Sequence, residues 1–304
     1  MKKINVYGLA LVALSLAQAV QAQNKIVVFQ SDFGLKDGAV SAMKGVANGV
    51  STDLKLYDLT HEIPAYNIWE AAFRLEQTVP YWPEGTVFVS VVDPGVGTSR
   101  KSVVLKTRKG HFIVTPDNGT LTMVAASEGV SELREINEAV NRRKGSGKSY
   151  TFHGRDVYAY TAARLASGTI TFEQVGPVLP ASVVTLPFQK AVREGQVVKG
   201  NIPILDIQYG NVWTNIDAAL LEELRPKYGD MMEVTFYHHQ QAVTTLQAPY
   251  SETFGAVPEG KPLAYLNSLM QLSFALNMGN LAAAYHIGSG GDWSVAVKLL
   301  PKRN

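Results

Sequence analysis

The chain has 304 residues, 46% hydrophobic and 18% charged, a composition that supports one large globular unit or two smaller ones with cores of their own. Its 28 basic and 26 acidic residues leave a formal charge of +2, so no basic surplus points to a nucleic acid or an anionic membrane as partner. The absence of cysteine excludes disulfides, thiolate metal sites and cysteine nucleophiles.

The first residues read as a secretory leader. Lys2 and Lys3 form a short basic region, Val6 to Ala17 is an apolar stretch too short to span a bilayer, and Val20-Gln21-Ala22 places small residues ahead of a cleavage site before Gln23. The expectation is an exported, periplasmic protein whose mature part has no membrane span and holds together through its core alone. Residues 1–22 are then the leader, 23–185 an α/β unit, and 186–304 a β-rich unit.

A buried strand is predicted at Lys25 to Gln30, followed by the polar loop SDFGLKDG and a helix from Ala39 to Val50 with Met43, Val46 and Val50 on one face. A second strand, Leu54 to Leu59, leads into THEIPAYN. Asn67 is a candidate cap for a helix from Ile68 to Val79. A valine-rich third strand, Thr86 to Val92, ends in DPGVGTSRK. This alternation is an α/β signature, and strands this apolar suit a mostly parallel sheet flanked by helices on both faces. Ligands of such sheets gather at the carboxyl ends of the strands, where all three loops sit. A hairpin (Ser102 to Lys106 and Phe112 to Thr115), a helix from Leu121, and a helix opened by FHGRD and running to about Leu165 complete this part. After a linker at Ala181 to Phe188, short strands dominate. They are expected at Gly195 to Val198, Ile202 to Gln208, Asn211 to Asn215, Met232 to His238, Ala242 to Leu246, Pro262 to Leu266 and Trp293 to Leu299, with one helix at Ala218 to Leu224. That pattern fits a small all-β, barrel-like domain.

Asp93 and Arg100 sit in one loop, seven residues apart around PGVGTS, and serve either as a structural ion pair or as a carboxylate and guanidinium of a site. His153 precedes a helix, where a histidine either packs and caps or takes part in proton handling. Asp32 and Asp37 flank the Gly34 turn. A carboxylate there can accept from both hydroxyls of a ribose or can favour the following helix N-terminus. The glycines fit neither GxGxxG nor a P-loop, and no GxSxG elbow is present. The six histidines show neither HxH nor HExxH spacing. A composite metal site of Asp32, His61 and His153 is conceivable, and His238 and His239 would point to opposite faces of a strand.

SDFGLKDG, DLTHEIPAYNI, PEGTVFVSVVDPGVGTSR, PDNGTLT, TFHGRDVYA and YGNVWTNI occur in this order, and together they resemble the S-adenosylmethionine hydroxide adenosyltransferases, relatives of fluorinating and chlorinating adenosyl enzymes. The resemblance spans essentially the whole mature chain. It implies hydrolysis of S-adenosylmethionine at ribose C5′ to adenosine and L-methionine, with no metal or added cofactor. It also implies a homotrimer with sites between subunits. By motif, Asp93, Arg100 and His153 match the water-handling set and Asp32 the ribose carboxylate. Asp37, Tyr66 and Phe152 match nearby contacts. Asp206 and Ser268 match contacts to the methionine end, and Tyr209, Asn211 and Phe254 the adenine pocket. The complete Asp/Arg/His set favours water over halide as nucleophile. Leu269 and Leu276 stand where halogenating relatives carry arginines. The alternatives are an exported nucleoside-binding or scavenging protein with little turnover and a halide-using enzyme.

Overall fold

The computed structural model describes residues 24–301, so the expected leader lies outside the described residues. The chain forms two compact units. One comprises residues up to Ala71 with Thr78–Val184; the other comprises Thr185 onward with the helical segment Ala72–Gln77.

Over residues 26–179 strand and helix alternate: β1 (Ile26–Ser31), α1 (Ala39–Val50), β2 (Lys55–Thr60), α2 (Ile68–Thr78), β3 (Val87–Val91), β4 (Ser102–Thr107), β5 (Phe112–Pro116), α3 (Thr122–Ser127), β6 (Val130–Glu135), α4 (Glu138–Asn141), α5 and β7 (Val178–Leu179). α5 starts as a π-helical stretch, Gly154–Ala159, and continues as an α-helix, Tyr160–Ala166. The seven strands make one sheet in the order β2-β1-β3-β5-β4-β6-β7. Five of them (β1, β2, β3, β5 and β6) run one way and β4 and β7 the other, so the sheet is mostly parallel, as the sequence predicts.

Position in the sheet explains the residue types. The central strands β3 and β5 are buried at every residue, whereas edge strand β2 has no buried residue. Each fully buried Val, Ile or Phe contributes about 1.5–3 kcal/mol by leaving water, and Val27, Phe29, Val87, Val89, Ile113 and Val114 are all buried. Asn67 caps α2 as predicted, its Oδ1 accepting from Glu70 N at 3.0 Å. Gly154 lets α5 lie close on the sheet: a Cβ there would meet Val91 Cγ1 at 3.1 Å and Met43 Sδ at 3.3 Å. β6 (VSELRE) has no counterpart among the predicted strands, because its polar alternation resembles a loop and its pairing with β4 is not local.

One position tests this packing. Gly176 has φ of +155°, and a Cβ there would lie 2.1 Å from Glu135 O and 2.9 Å from Asn137 N, backbone atoms fixed by Glu135 N→Pro177 O and Asn137 N→Val175 O bonds. Gly176→Ala is expected to destabilise the fold by about 3 kcal/mol, combining backbone strain and overpacking. Gly147→Ala faces open space and should cost under about 0.5 kcal/mol. Denaturant melts of both variants check the contrast; equal midpoints would refute it.

The second unit is antiparallel: β8 (Val192–Glu194), β9 (Val197–Ile202), β10 (Ile204–Leu205), β11 (Val212–Asp217), α6 (Ala218–Glu222), β12 (Met231–His238), β13 (Gln241–Pro249), β14 (Pro262–Leu266), β15 (Gln271–Leu276), α7 (Leu281–Tyr285) and β16 (Gly290–Leu299). They form two sheets, β10-β11-β15-β14 and β13-β12-β16-β9-β8. The sheets meet at two seams, which makes the unit barrel-like. At one, Tyr250 bridges Ala264; at the other, Asn215 Oδ1 accepts from Asn201 N at 2.7 Å, close against Gly200. The core is shared by both sheets: Val198, Val234, Phe236 and Val297 pack with Val212, Leu272 and Phe274. The strand predicted over Ile202 to Gln208 shortens to Ile204–Leu205, because Pro203 lacks the N–H to continue β9 and residues 207–209 turn. β15 has no counterpart among the predicted strands: QLSFAL is short, and the residues alternating with Leu272 and Phe274 are the small, buried Ser273 and Ala275 rather than exposed polar ones.

Candidate active site

In the sheet order, β1 has β2 on one side and β3 on the other, so the chain changes direction of winding between β1 and β3. Connections leaving neighbouring strands in opposite senses open a crevice at their carboxyl ends. Asp32 follows β1 and Asp93 follows β3, whose ends pair Ser31 with Val91. A cavity of about 280 Å³ lies there, lined by Asp32, Phe33, Tyr66, Asp93, Phe152 and His153 among others.

Asp93 and Arg100 form a two-point pair. Arg100 Nε donates to Asp93 Oδ1 at 2.9 Å and Nη2 to Oδ2 at 2.5 Å, and Nη1 donates to Ser102 Oγ at 2.9 Å. Both side chains are largely buried, at 5% and 12% exposure. The Tyr158 hydroxyl, wholly buried, stands 3.4 Å from Asp93 Oδ2 and 3.2 Å from Ser102 Oγ. Burial, and secondarily the Asp93 charge, push the Tyr158 phenol far above its usual range, so it stays a proton-bearing donor. Three donors thus occupy Asp93, whose carboxylate offers about four acceptor sites. About one remains for a ligand.

His153 is set by residues that the sequence reading did not single out. Arg142 Nη2 lies 3.1 Å from His153 Nε2 and is itself tied to Glu138 Oε2 through Nε (2.9 Å) and Nη2 (2.5 Å). A guanidinium only donates, so Nε2 accepts and the ring proton of the neutral imidazole sits on Nδ1. Electrostatics agree: burial first, then the Arg100 and Arg142 charges, lower the His153 pKa against the opposing pull of Glu138 and Asp93. His153 Nδ1 is buried without a hydrogen-bond partner, and the residue lines the cavity. The one available sequence signal was the Glu138/Arg142 spacing of four residues on a short helix. Tyr158 and Ser102 read simply as core.

The other predicted residues of this unit divide. Asp32 Oδ2 accepts from Tyr66 N at 2.9 Å and so holds the exposed Tyr66, in left-handed backbone at φ +68°, over the cavity rim. Phe152 stacks edge-on with Phe33 at 5.6 Å and forms a cavity wall. Asp37 is exposed, accepts from Ala39 N at the start of α1, and is not among the lining residues. The composite metal site of Asp32, His61 and His153 does not assemble: His61 Nδ1 is 2.7 Å from Ser31 Oγ and its Nε2 3.0 Å from Asp58 Oδ1, while His153 Nε2 faces Arg142.

The second unit has its own cavity of about 590 Å³, lined by Tyr209, Asn211, Phe254, Leu276, Met278 and Asn280 among others. Three predicted residues, Tyr209, Asn211 and Phe254, therefore share one apolar pocket. Asp206 instead organises its loop, taking Gln208 N at 3.1 Å and Tyr209 N at 3.4 Å. Ser268 lies exposed in the turn between β14 and β15. Neither is among the residues lining the pocket.

Comparison with known proteins gives consistent matches. Residues 27–176 match the family model described as SAM hydroxide adenosyltransferase N-terminal domain, and residues 200–294 match its C-terminal domain. A Thermus thermophilus protein named (R)-S-adenosyl-L-methionine hydrolase is 35% identical over 270 residues, covering 87% of this chain and 96% of that one. A protein named Fluorinase from Actinopolyspora mzabensis is 29% identical over 292 residues, covering 87% of this chain and 95% of that one. A solved structure of an uncharacterized conserved protein from Thermotoga maritima superposes with a TM-score of 0.81 at 35% identity, covering 90% of this chain and 99% of that one.

Proposed function

The chain belongs to the SAM hydroxide adenosyltransferase family, and from that premise we propose that it hydrolyses S-adenosyl-L-methionine at ribose C5′, giving adenosine and L-methionine. The observation that carries the reading is the buried Asp93–Arg100 pair beside a histidine whose ring proton is fixed on Nδ1, at the carboxyl ends of β1 and β3. The sulfonium is already a good leaving group, so the task is to orient and polarise water. Water attacks C5′ in line and a C–O bond forms. The C5′–S bond breaks with its electron pair going to sulfur, leaving neutral methionine thioether. Asp93 accepts the water proton at its remaining acceptor site and passes it to solvent. Arg100 and His153 stabilise the developing hydroxide. Asp32 accepts from the ribose hydroxyls, with Tyr66 and Phe152 around the sugar. Tyr209, Asn211 and Phe254 supply the adenine pocket, and Asp206 and Ser268 the methionine end. No metal or other cofactor takes part in this proposal.

The protein is exported to the periplasm by its first 22 residues; it acts as a homotrimer in which one subunit's second unit completes a neighbour's site; and the substrate is the R epimer at sulfur, as the names of the hydrolase relatives suggest. Among the described residues no helix is long and apolar enough to cross a membrane.

The test is incubation of the protein with each sulfonium epimer in ¹⁸O-water. Adenosine and methionine in equal amounts, with label on the 5′-oxygen, are expected. Tight adenosine binding without product would overturn the enzymatic reading, and a 5′-halonucleoside in chloride or fluoride would overturn water as nucleophile. Sedimentation at monomer mass would refute the trimer, and retention in the cytoplasmic fraction would refute export.

A further inference from the structure

In an extended strand His238 and His239 would face opposite sides of the sheet. Here they do not. β12 ends at His238, and the two residues that follow, His239 and Gln240, have φ of +45° and +66°, a loop with both φ values positive that normally selects Asn and Gly. This turn breaks the alternation and brings the two imidazoles together, with ring centroids 4.2 Å apart. Both then converge on Asp292 of neighbouring strand β16. His238 Nε2 lies 2.9 Å and His239 Nε2 3.3 Å from the same oxygen, Oδ2. His239 N donates to Asp292 O at 3.0 Å, and the His238 ring stacks on Trp293 at 4.6 Å and 15°, so backbone and ring are fixed as well.

We propose that His238, His239 and Asp292 form a surface site for a divalent ion of the zinc, nickel or copper class. One candidate ligand atom from each side chain lies within 4.8 Å of the others. Ligand bonds of about 2.0–2.2 Å in a tetrahedron set ligand–ligand separations of about 3.3 Å. The 2.9 and 3.3 Å separations therefore need only small side-chain movements to admit an ion. Moving the ring protons to Nδ1 presents both Nε2 lone pairs. Two imidazoles with one carboxylate suit zinc, nickel and copper and discriminate against magnesium and calcium, which take all-oxygen shells. The part-exposed position leaves the remaining coordination to water. A bound ion would clamp the β12–β13 turn to the start of β16. None of the three residues lines either cavity described above, so the site stands apart from the chemistry proposed there.

The experiment uses tag-free, chelator-treated and dialysed full-length protein, titrated with Zn²⁺ and with Mg²⁺ by calorimetry. One saturable Zn²⁺ per chain is expected, with a rise in melting temperature and no Mg²⁺ binding. Asp292→Asn, nearly isosteric, and His239→Ala, at an exposed turn, should each weaken Zn²⁺ binding at least about tenfold and abolish the thermal shift. Ni²⁺ or Cu²⁺ should quench the fluorescence of Trp293, in the wild type only. Absence of saturable Zn²⁺ binding, equal binding by both variants, or Mg²⁺ binding as strong as Zn²⁺ would each overturn the proposal, leaving a hydrogen-bonded turn only.

Discussion

Asp93→Asn should lower kcat by about a thousandfold while changing substrate affinity by less than tenfold. The substitution keeps the side chain's shape and one oxygen acceptor for Arg100, but removes the negative charge and the proton acceptor. Arg100 then stays desolvated, at 12% exposure, with a neutral partner. Breaking a buried pair outright costs about 3–5 kcal/mol; with one hydrogen bond kept, a loss of about 1–3 kcal/mol in stability is expected. The two effects separate experimentally: the melting curve reports the brace, and kcat against Kd on folded protein reports the chemistry. If turnover and binding fell together, Asp93 would be a structural ion pair, the first of the two roles its sequence spacing allows.

The second large effect is expected at Arg142, which the proposed reaction uses only through His153. Arg142→Met removes the donor that holds His153 Nε2 as an acceptor, and the ring is then free to carry its proton on either nitrogen. Losing the correct tautomer of a catalytic imidazole costs between about 10² and 10⁴ in rate. The sign of the pH effect follows from the groups around the ring. Burial, Arg100 and Arg142 lower the His153 pKa, whereas Glu138 and Asp93 raise it. Deleting Arg142 removes one lowering charge and leaves Glu138, 3.5 Å from Nε2, opposed only by burial and Arg100. The pKa of His153 therefore rises in the variant. Below that raised value the ring is imidazolium, so the acid limb of the kcat profile moves to higher pH and the loss at pH 6 exceeds the loss at pH 8. Arg142→Lys, which keeps charge and a donor, should recover part of the rate. A profile of unchanged shape at lower height would show that Arg142 merely stabilises the α4 region.

The two kinds of information differ at particular residues. Asp32 and Asp93 were legible because the apolar runs before them mark buried parallel strands, and ligands of such sheets collect where those strands end. α1 and α2 were legible through apolar spacing and the Asn67 cap. Glu138 and Arg142 were not, because their significance lies in reaching His153 across the intervening loop, residues 143–152. β15 and β6 were missed for a related reason: one is short and buried on both faces, the other polar in alternation, and only their partners make them strands.

The sequence alone determined the α/β alternation, the apolar strands and the ordered motifs that mark the family, because these depend on local periodicity and residue type. Only the tertiary structure decided which of the plausible polar residues meet. It set Asp93 on Arg100 in a buried two-point pair, fixed the proton of His153 through Arg142, and gave Asp37 to a helix start and Asp206 to its own loop. At one turn it reversed a sequence expectation, since left-handed backbone at His239 turned two diverging histidines onto one carboxylate. The physical reason is common to all of these. A side chain's partner and protonation are fixed by neighbours distant in the chain and by the water they exclude, and neither is written in local pattern.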